Sequence, residues 1–526
     1  MSKILDYWPD PNRTPRKSQI EALQWIEENI GKKKYLFLEA PVGAGKSLIG
    51  LTVSRYLEGN AFVLTPQRIL QKQYESEFAT NEQIRLRSLV GKSNYKCSDK
   101  NTSCDVGSML KPTCNNCPHK AAKEAAVKSK NTVLNYDLAL LNFAFTDTFK
   151  TRKLMILDEC HSLEQILTEF DAIGITFNQM QEMNVKWTQL DDIVKAHKWV
   201  VDKYLPNLKD RVADLEAIAT PLLQSGDGLN PDEIKLIKNY EKLNEHLDEI
   251  TELELLPEQD LKDNYILVHD KLNVKFKRLY AGTTFKRYIR PQADNFLFMS
   301  STILNYEGYC KDNGIPPEEA TFLSLESEFP EENRQVYYMP QMKMNVTWDK
   351  PETKPARRRT LKHIEDLCEM HKTDSGIIHT ANFKIAEWLV ENLDVPQKIY
   401  HHNPDSGDDR NSIIEAFQDS PKPGLLISPS ITEGLDLKDD LSRFAIIAKT
   451  PFPYMGDQWV KARQELSTEW YRRQALIDVI QGCGRIVRSK DDYGNVYIID
   501  ESWAYLYSQS QNAIPQWWKD SYRVME

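Results

Sequence analysis

The run EAPVGAGKS (39–47) brings two glycines, a lysine and a serine together between an apolar segment and a helix-like one. Gly43 and Gly45 let the main chain approach phosphate oxygens, so that the loop's N–H groups, that of Ala44 included, point at an anion. Lys46 adds a positive charge for the β- and γ-phosphates, and Ser47 a hydroxyl for Mg²⁺. Ala40 stands where such loops usually carry their first glycine. A nucleoside triphosphate with Mg²⁺ is the expected ligand.

A metal partner stands at the end of KLMILDECH (153–161). Asp158 is expected to hold Mg²⁺ through its coordination shell and Glu159 to polarise an attacking water. Far downstream, QGCGRIVRS (481–489) places Arg485 and Arg488 three residues apart, on one face if the segment is helical. Such arginines can reach a γ-phosphate across a cleft and stabilise charge in the transition state, a device worth roughly 10³–10⁵ in rate.

A third group is different in kind. Cys97, Cys104, Cys114 and Cys117, four of the eight cysteines, fall within 21 positions as C-x₆-C-x₉-C-x₂-C. Disulfides, a zinc ion and an iron–sulfur centre are the chemistries open to them. The N-terminal residues lack the apolar stretch of a signal peptide, and no apolar run approaches membrane-spanning length. A cytoplasmic protein (nuclear in a eukaryote) with no membrane partner is expected. Reducing conditions there favour metal ligation over disulfides.

The elements that must position these groups read as α/β. Apolar runs at 35–40, 61–66, 153–159 and 295–302, and again at 376–380, 424–428, 444–449 and 495–500, look like buried parallel strands separated by helices. At 526 residues, several domains are expected. A net charge of −10 does not advertise a nucleic-acid binder, although a groove can be locally basic on an acidic chain. The stretch 165–288 reads as a helical insertion, with Asn230, Pro231 and Glu233 marking a helix start. KPARRR (354–359) reads as a solvated linker.

In this order the blocks EAPVGAGKS, FVLTP, LVGKSNYKC, NTVLNYDLALLN, ILDECH, FMSSTI, ITEGLDL and QGCGRIVRSKDDYGNVYIID resemble superfamily 2 DNA helicases of the XPD/DinG-like iron–sulfur family. The resemblance spans nearly the whole chain. It implies two RecA-like parallel-sheet motor domains with ATP between them, the first carrying a cysteine-rich and a helical insertion. The boundaries expected are first motor 1–89, 131–164 and 289–330, four-cysteine insertion 90–130, helical arch 165–288, and second motor 331–526.

Arg16 and Gln19 match the family's adenine-contacting element. Ser300, Ser301 and Thr302 match its segment coupling hydrolysis to movement, and Gln481, Arg485 and Arg488 its cleft-closing motif. Glu433, Gly434 and Asp436 match the segment between nucleotide and DNA. Position between the phosphate loop and DECH implies a [4Fe–4S] cluster on the four thiols, with Zn²⁺ as the alternative. Motif II reads DECH where the family usually has DEAH, a change expected to be tolerated because the acidic pair is intact.

The activity implied is ATP-driven movement along single-stranded DNA, 5′→3′, with separation of forked duplexes by a monomer. A 3′→5′ DExH-type helicase and a nucleotide-gated DNA-binding module without processive unwinding are the alternatives.

Overall fold

The computed structural model describes all residues except 1, 100, 111–115, 189, 225–228, 271–272, 403–409, 421–422, 430–438 and 526. Cys114, Glu433, Gly434 and Asp436 therefore lie outside the described residues.

The chain lays down Tyr35–Glu39 (β1), Ala61–Thr65 (β2), Leu86–Ser88 (β3), Asn131–Asn135 (β4) and Arg152–Asp158 (β5). It then leaves for an insertion containing Ile173–Thr176 (β6), Tyr265–His269 (β7) and Asn273–Arg278 (β8), and returns with Ala293–Ser300 (β9) and Ala320–Ser324 (β10). The first core is an all-parallel sheet in the order β10-β1-β9-β5-β2-β4-β3.

The second core comprises Val336–Met342 (β11), Gly376–His379 (β12), Lys398–His401 (β13), Gly424–Ser428 (β14), Phe444–Ile447 (β15), Asn495–Asp500 (β16) and Tyr522–Val524 (β17). Its strands are also parallel, in the order β13-β14-β12-β15-β16-β11-β17.

Both sheets are covered on both faces, which is why their strands are continuous apolar runs rather than alternating ones. β1, β2, β12, β14 and β15 are buried along their whole lengths. Each fully buried aliphatic side chain contributes about 1.5–3 kcal/mol, so these strands anchor their cores without help from the loops.

The structure differs from expectation in three places. The 165–288 insertion is not wholly helical: β6, β8 and β7 form a three-stranded antiparallel sheet at its base. Its helix Pro231–Glu254 does start as the sequence indicates, with Asn230 Oδ1 accepting from Asp232 and Glu233 and Glu233 accepting from Asn230 N. KPARRR is no linker; it forms the first turns of the helix Lys354–Met370, opened by Pro355 near its N-terminus. Arg485 and Arg488 lie beyond the end of the helix Thr468–Cys483, which stops at Gly484.

Candidate nucleotide site between the two cores

β1, β9 and β5 are adjacent and parallel, so their C-terminal ends open on one edge, where loops of such sheets bind ligands. The register aligns Glu39 with Ser300 and Asp158 with Met299. The chemistry of three distant sequence segments is thus gathered at one edge by strand order alone.

After β1 the chain turns into the helix Lys46–Tyr56, with Gly43 and Gly45 in the left-handed region at φ 77° and 78°. A Cβ on Gly43 would lie 2.8 Å from the Arg488 carbonyl oxygen, and one on Gly484 would lie 2.8 Å from Val42. Here the two cores approach so closely at glycines that no larger residue is permitted.

Between them lies a cavity of about 1080 Å³, just above the ~300–1,000 Å³ usual for ligand clefts. Lys46, Ser47, Asp158 and Glu159 line it from the first core, and Gln481, Arg485 and Arg488 from the second. Gly43 and Gly45 also face it, whereas Ala40 and Ala44 are buried behind the loop.

The carboxylates are held unequally. Asp158 accepts from Tyr74 Oη at 3.0 Å, and Tyr136 Oη donates to the Asp158 carbonyl at 3.1 Å. Burial, reinforced by the neighbouring Glu159 charge, pushes the Asp158 carboxyl up to about 6. Burial also opposes ionisation of Glu159, but Lys46, 3.5 Å away, and His161 outweigh it and hold that carboxyl below the ordinary range. Glu159 itself is left-handed at φ 49°, a conformation costing about 1–2 kcal/mol for a residue with a Cβ. Ser47 and Asp158 offer hard oxygen donors suited to Mg²⁺, and a divalent cation beside Asp158 favours its ionised form.

Gln481 reaches across the cleft: its Nε2 donates to Ser301 Oγ at 3.0 Å and to Thr302 Oγ1 at 2.9 Å. His161 Nδ1 lies 2.9 Å from Ser300 Oγ. Arg485 contributes to the depression of Glu159, and burial together with Arg485 pushes His379 down to about 4.

Arg16 and Gln19 line the cavity, but their side chains support the phosphate loop. Arg16 Nη2 donates to Gly43 O at 2.6 Å, Gln19 Nε2 to Ala44 O at 3.0 Å, and Gln19 Oε1 accepts from Arg16 N at 2.9 Å. Cys160 is buried, its thiol pushed well up by burial; as a small neutral side chain it packs without disturbing the acidic pair. Sequence reasoning assigned no role to His161, Tyr74 or Glu39. His161 was visible as the last letter of DECH, whereas Tyr74 carries no local signal.

Residues 364–521 match a helicase C-terminal domain family, and residues 12–199 a family described as type III restriction enzyme, res subunit. A probable ATP-dependent helicase of Methanocaldococcus jannaschii is 20% identical over 99% of this chain and 96% of its own. The ATP-dependent DNA helicase YoaA of Escherichia coli is 21% identical over 94% of each. An XPD helicase structure superposes with a TM-score of 0.63 at 14% identity, over 97% of this chain and 99% of its own. S. tokodaii Xpd4 gives 0.58 at 14%, over 97% and 100%. The chain is related to superfamily 2 helicases of the XPD/DinG type. Its two parallel-sheet cores with added insertions are the XPD architecture.

The four-thiol region lies apart from the cleft. Cys104 Sγ and Cys117 Sγ are 3.3 Å apart, well beyond the ~2.05 Å of a disulfide. Cys97, Cys104 and Cys117 are reduced thiols, a donor chemistry that suits both Zn²⁺ and an iron–sulfur cluster. Among the described residues no group of three or more His, Cys, Asp or Glu is arranged to hold a metal. Likewise no described helix is long and apolar enough to cross a membrane.

Proposed function

We propose that the protein is an ATP-dependent DNA helicase, moving 5′→3′ along a single strand and separating forked duplex as a monomer. The observation that carries this reading is the cleft in which Lys46, Asp158 and Glu159 of one core face Gln481, Arg485 and Arg488 of the other. ATP bound there contacts both cores, so its hydrolysis can change their relation.

In this mechanism Lys46 and the loop N–H groups bind the phosphates, and Ser47 and Asp158 hold Mg²⁺. The ion, when bound, neutralises charge on the phosphate oxygens. Glu159, kept ionised, orients the attacking water, and Arg485 and Arg488 stabilise charge developing on the transferred phosphoryl group. Gln481 links that event to Ser301 and Thr302. Melting one base-pair step opposes stacking of roughly 1.4 kcal/mol, a modest load for one nucleotide cycle.

The family resemblance supports a [4Fe–4S] cluster on Cys97, Cys104, Cys114 and Cys117, with Zn²⁺ as the alternative. In either case the metal's role is to hold a loop-rich insertion in shape.

The deciding assay uses forked duplexes bearing only a 5′ or only a 3′ tail. Unwinding of the 5′-tailed fork with ATP is expected. Unwinding of the 3′-tailed fork alone would establish the opposite polarity, and ATP turnover with neither fork opened would establish a nucleotide-gated binding module.

A further inference from the structure

Glu39 ends β1, one residue before the phosphate loop, and is 2% exposed. Its Oε1 accepts from the main-chain N–H of Ile303 at 2.9 Å and of Leu304 at 2.6 Å, and its Oε2 accepts from Ser324 Oγ at 2.9 Å. The main chain on either side is pinned too: Ala40 N donates to Ser300 O at 2.9 Å and Leu325 N to Glu39 O at 2.8 Å. Leu304 sits at φ 61°, in a region that residues with a Cβ leave unless something holds them. One carboxylate thus satisfies two consecutive N–H groups of a strained turn, which a buried alanine would orphan.

The turn matters because of what precedes it. Ser301 and Thr302 present the two hydroxyls that accept from Gln481, and Gln481 stands four residues before Arg485 on the chain of the other core. Two sets of hydrogen bonds, joined by the short main-chain stretch 301–304, therefore connect the strand bearing the phosphate loop to the segment bearing the cleft arginines. We propose that Glu39 is a positioning residue that sets the Ser301 and Thr302 hydroxyls for Gln481 and so links the phosphate loop to the arginines across the cleft. The proposal rests on the ATP-hydrolysing reading of that cleft.

Reach rather than charge is what the geometry demands. Burial pushes the Glu39 carboxyl up to about 7, against three uncharged donors that hold it down. A carboxamide of the same length offers one oxygen to both N–H groups and an NH₂ to Ser324 Oγ. The shorter aspartate side chain at this position would keep the charge and lose the reach.

The test is steady-state ATP turnover with single-stranded DNA, on the full chain. Glu39→Ala is expected to lower kcat about tenfold while KM for ATP stays within about twofold, the pattern of a lost transition-state interaction. Glu39→Gln is expected to stay near wild type, and Glu39→Asp to behave like the alanine variant. Combined with Gln481→Ala, Glu39→Ala should cost little beyond Gln481→Ala alone, because the two act in series. Additive losses, or a rise in KM matching the fall in kcat, would overturn the assignment in favour of a general packing role. So would a glutamine variant as damaged as the alanine one. If Glu39→Ala does not fold, Glu39→Asp carries the same cycle. Wild-type protein that turns over no ATP would instead remove the reading of the cleft itself.

Discussion

Arg463 Nη2 sits 2.6 Å from Glu164 Oε1, joining the helix Gln458–Leu466 of the second core to the helix Leu163–Phe170 that follows the acidic pair in the first. The same nitrogen is 2.7 Å from Asp312 Oδ1, Arg473 pairs with that carboxylate's other oxygen, and Trp470 Nε1 donates to Glu164 Oε2 at 2.9 Å. The guanidinium carbon lies 4.4 Å from the Tyr280 ring centre, and the side chain is fully buried. Replacing Arg463 with Ala leaves two buried carboxylates short of a cation. A loss of about 3–5 kcal/mol is expected, read as a lower denaturant midpoint at unchanged slope. A change below about 1 kcal/mol, the range of exposed pairs, would mean that water enters this contact in solution.

Lys46→Ala should abolish ATP hydrolysis while leaving the fold intact, since the loop's shape is set by Gly43, Gly45 and main-chain bonds rather than by the lysine side chain. Turnover and thermal unfolding measured together separate the two effects. Hydrolysis at the wild-type rate would sink the phosphate-loop assignment.

Arg485→Ala and Arg488→Ala should lower DNA-stimulated turnover far more than they weaken ATP binding, because their charge is most useful when negative charge develops in transfer. Equal losses in turnover and in binding of a fluorescent ATP analogue would assign them to ground-state contacts.

The residues of the cleft divide by the range of their signals. Lys46, Ser47, Asp158 and Glu159 were legible because a phosphate loop and a strand-end carboxylate pair are local patterns, and strand order then brought them together. Arg485 and Arg488 were legible as types but not in conformation: Gly484 ends the helix before them, and the need for it is set by Val42 of the other core. Glu39 and Tyr74 were not legible, since their partners are up to 285 residues away. The apolar runs marked β1, β2, β5, β9, β12, β14, β15 and β16, but not β4 and β11, which are paired on both sides and interrupted by polar residues or proline. β3 and β17, short edge strands reading LRS and YRV, have no such pattern. The small sheet of the 165–288 insertion depends on pairing β6 with β8 across it, which no local period encodes.

The Glu39 carboxyl also ties stability to pH. Unfolded, it releases its proton near its ordinary value of 4.5; folded, it keeps it up to about 7. Between these values the folded state binds more protons, so its stability falls as pH rises and levels off above about 7. At 1.36 kcal/mol per unit the span is on the order of 3 kcal/mol. Glu39→Gln removes this dependence. The melting temperature of Glu39→Gln relative to wild type should therefore rise between pH 4.5 and 7 and then stay constant. A flat difference across that window would show that the carboxyl titrates normally.

The thiol insertion supplies the last prediction. Lys46, Ser47, Asp158, Glu159, Arg485 and Arg488 all lie outside residues 90–130, so the thiol insertion and the proposed hydrolytic residues can be altered separately. Metal analysis of protein purified without oxygen should find metal on these thiols. Iron with an equal amount of acid-labile sulfide identifies a cluster. One zinc per chain without sulfide identifies the zinc alternative. Neither metal would overturn the scaffold role. Cys104→Ser and Cys117→Ser should then spare ATP turnover without DNA more than they spare unwinding of a 5′-tailed fork. The reason is mechanical: a region of about forty residues buries too little apolar surface to keep its shape without the metal, and a strand is not held against a wall that has lost its shape. Both activities are to be measured on one folded preparation. A metal-free variant that unwinds as well as wild type would place these thiols outside the DNA path. Joint loss of both activities would show that the insertion supports the whole first core, whose strand β4 follows directly from its helix Pro118–Lys128.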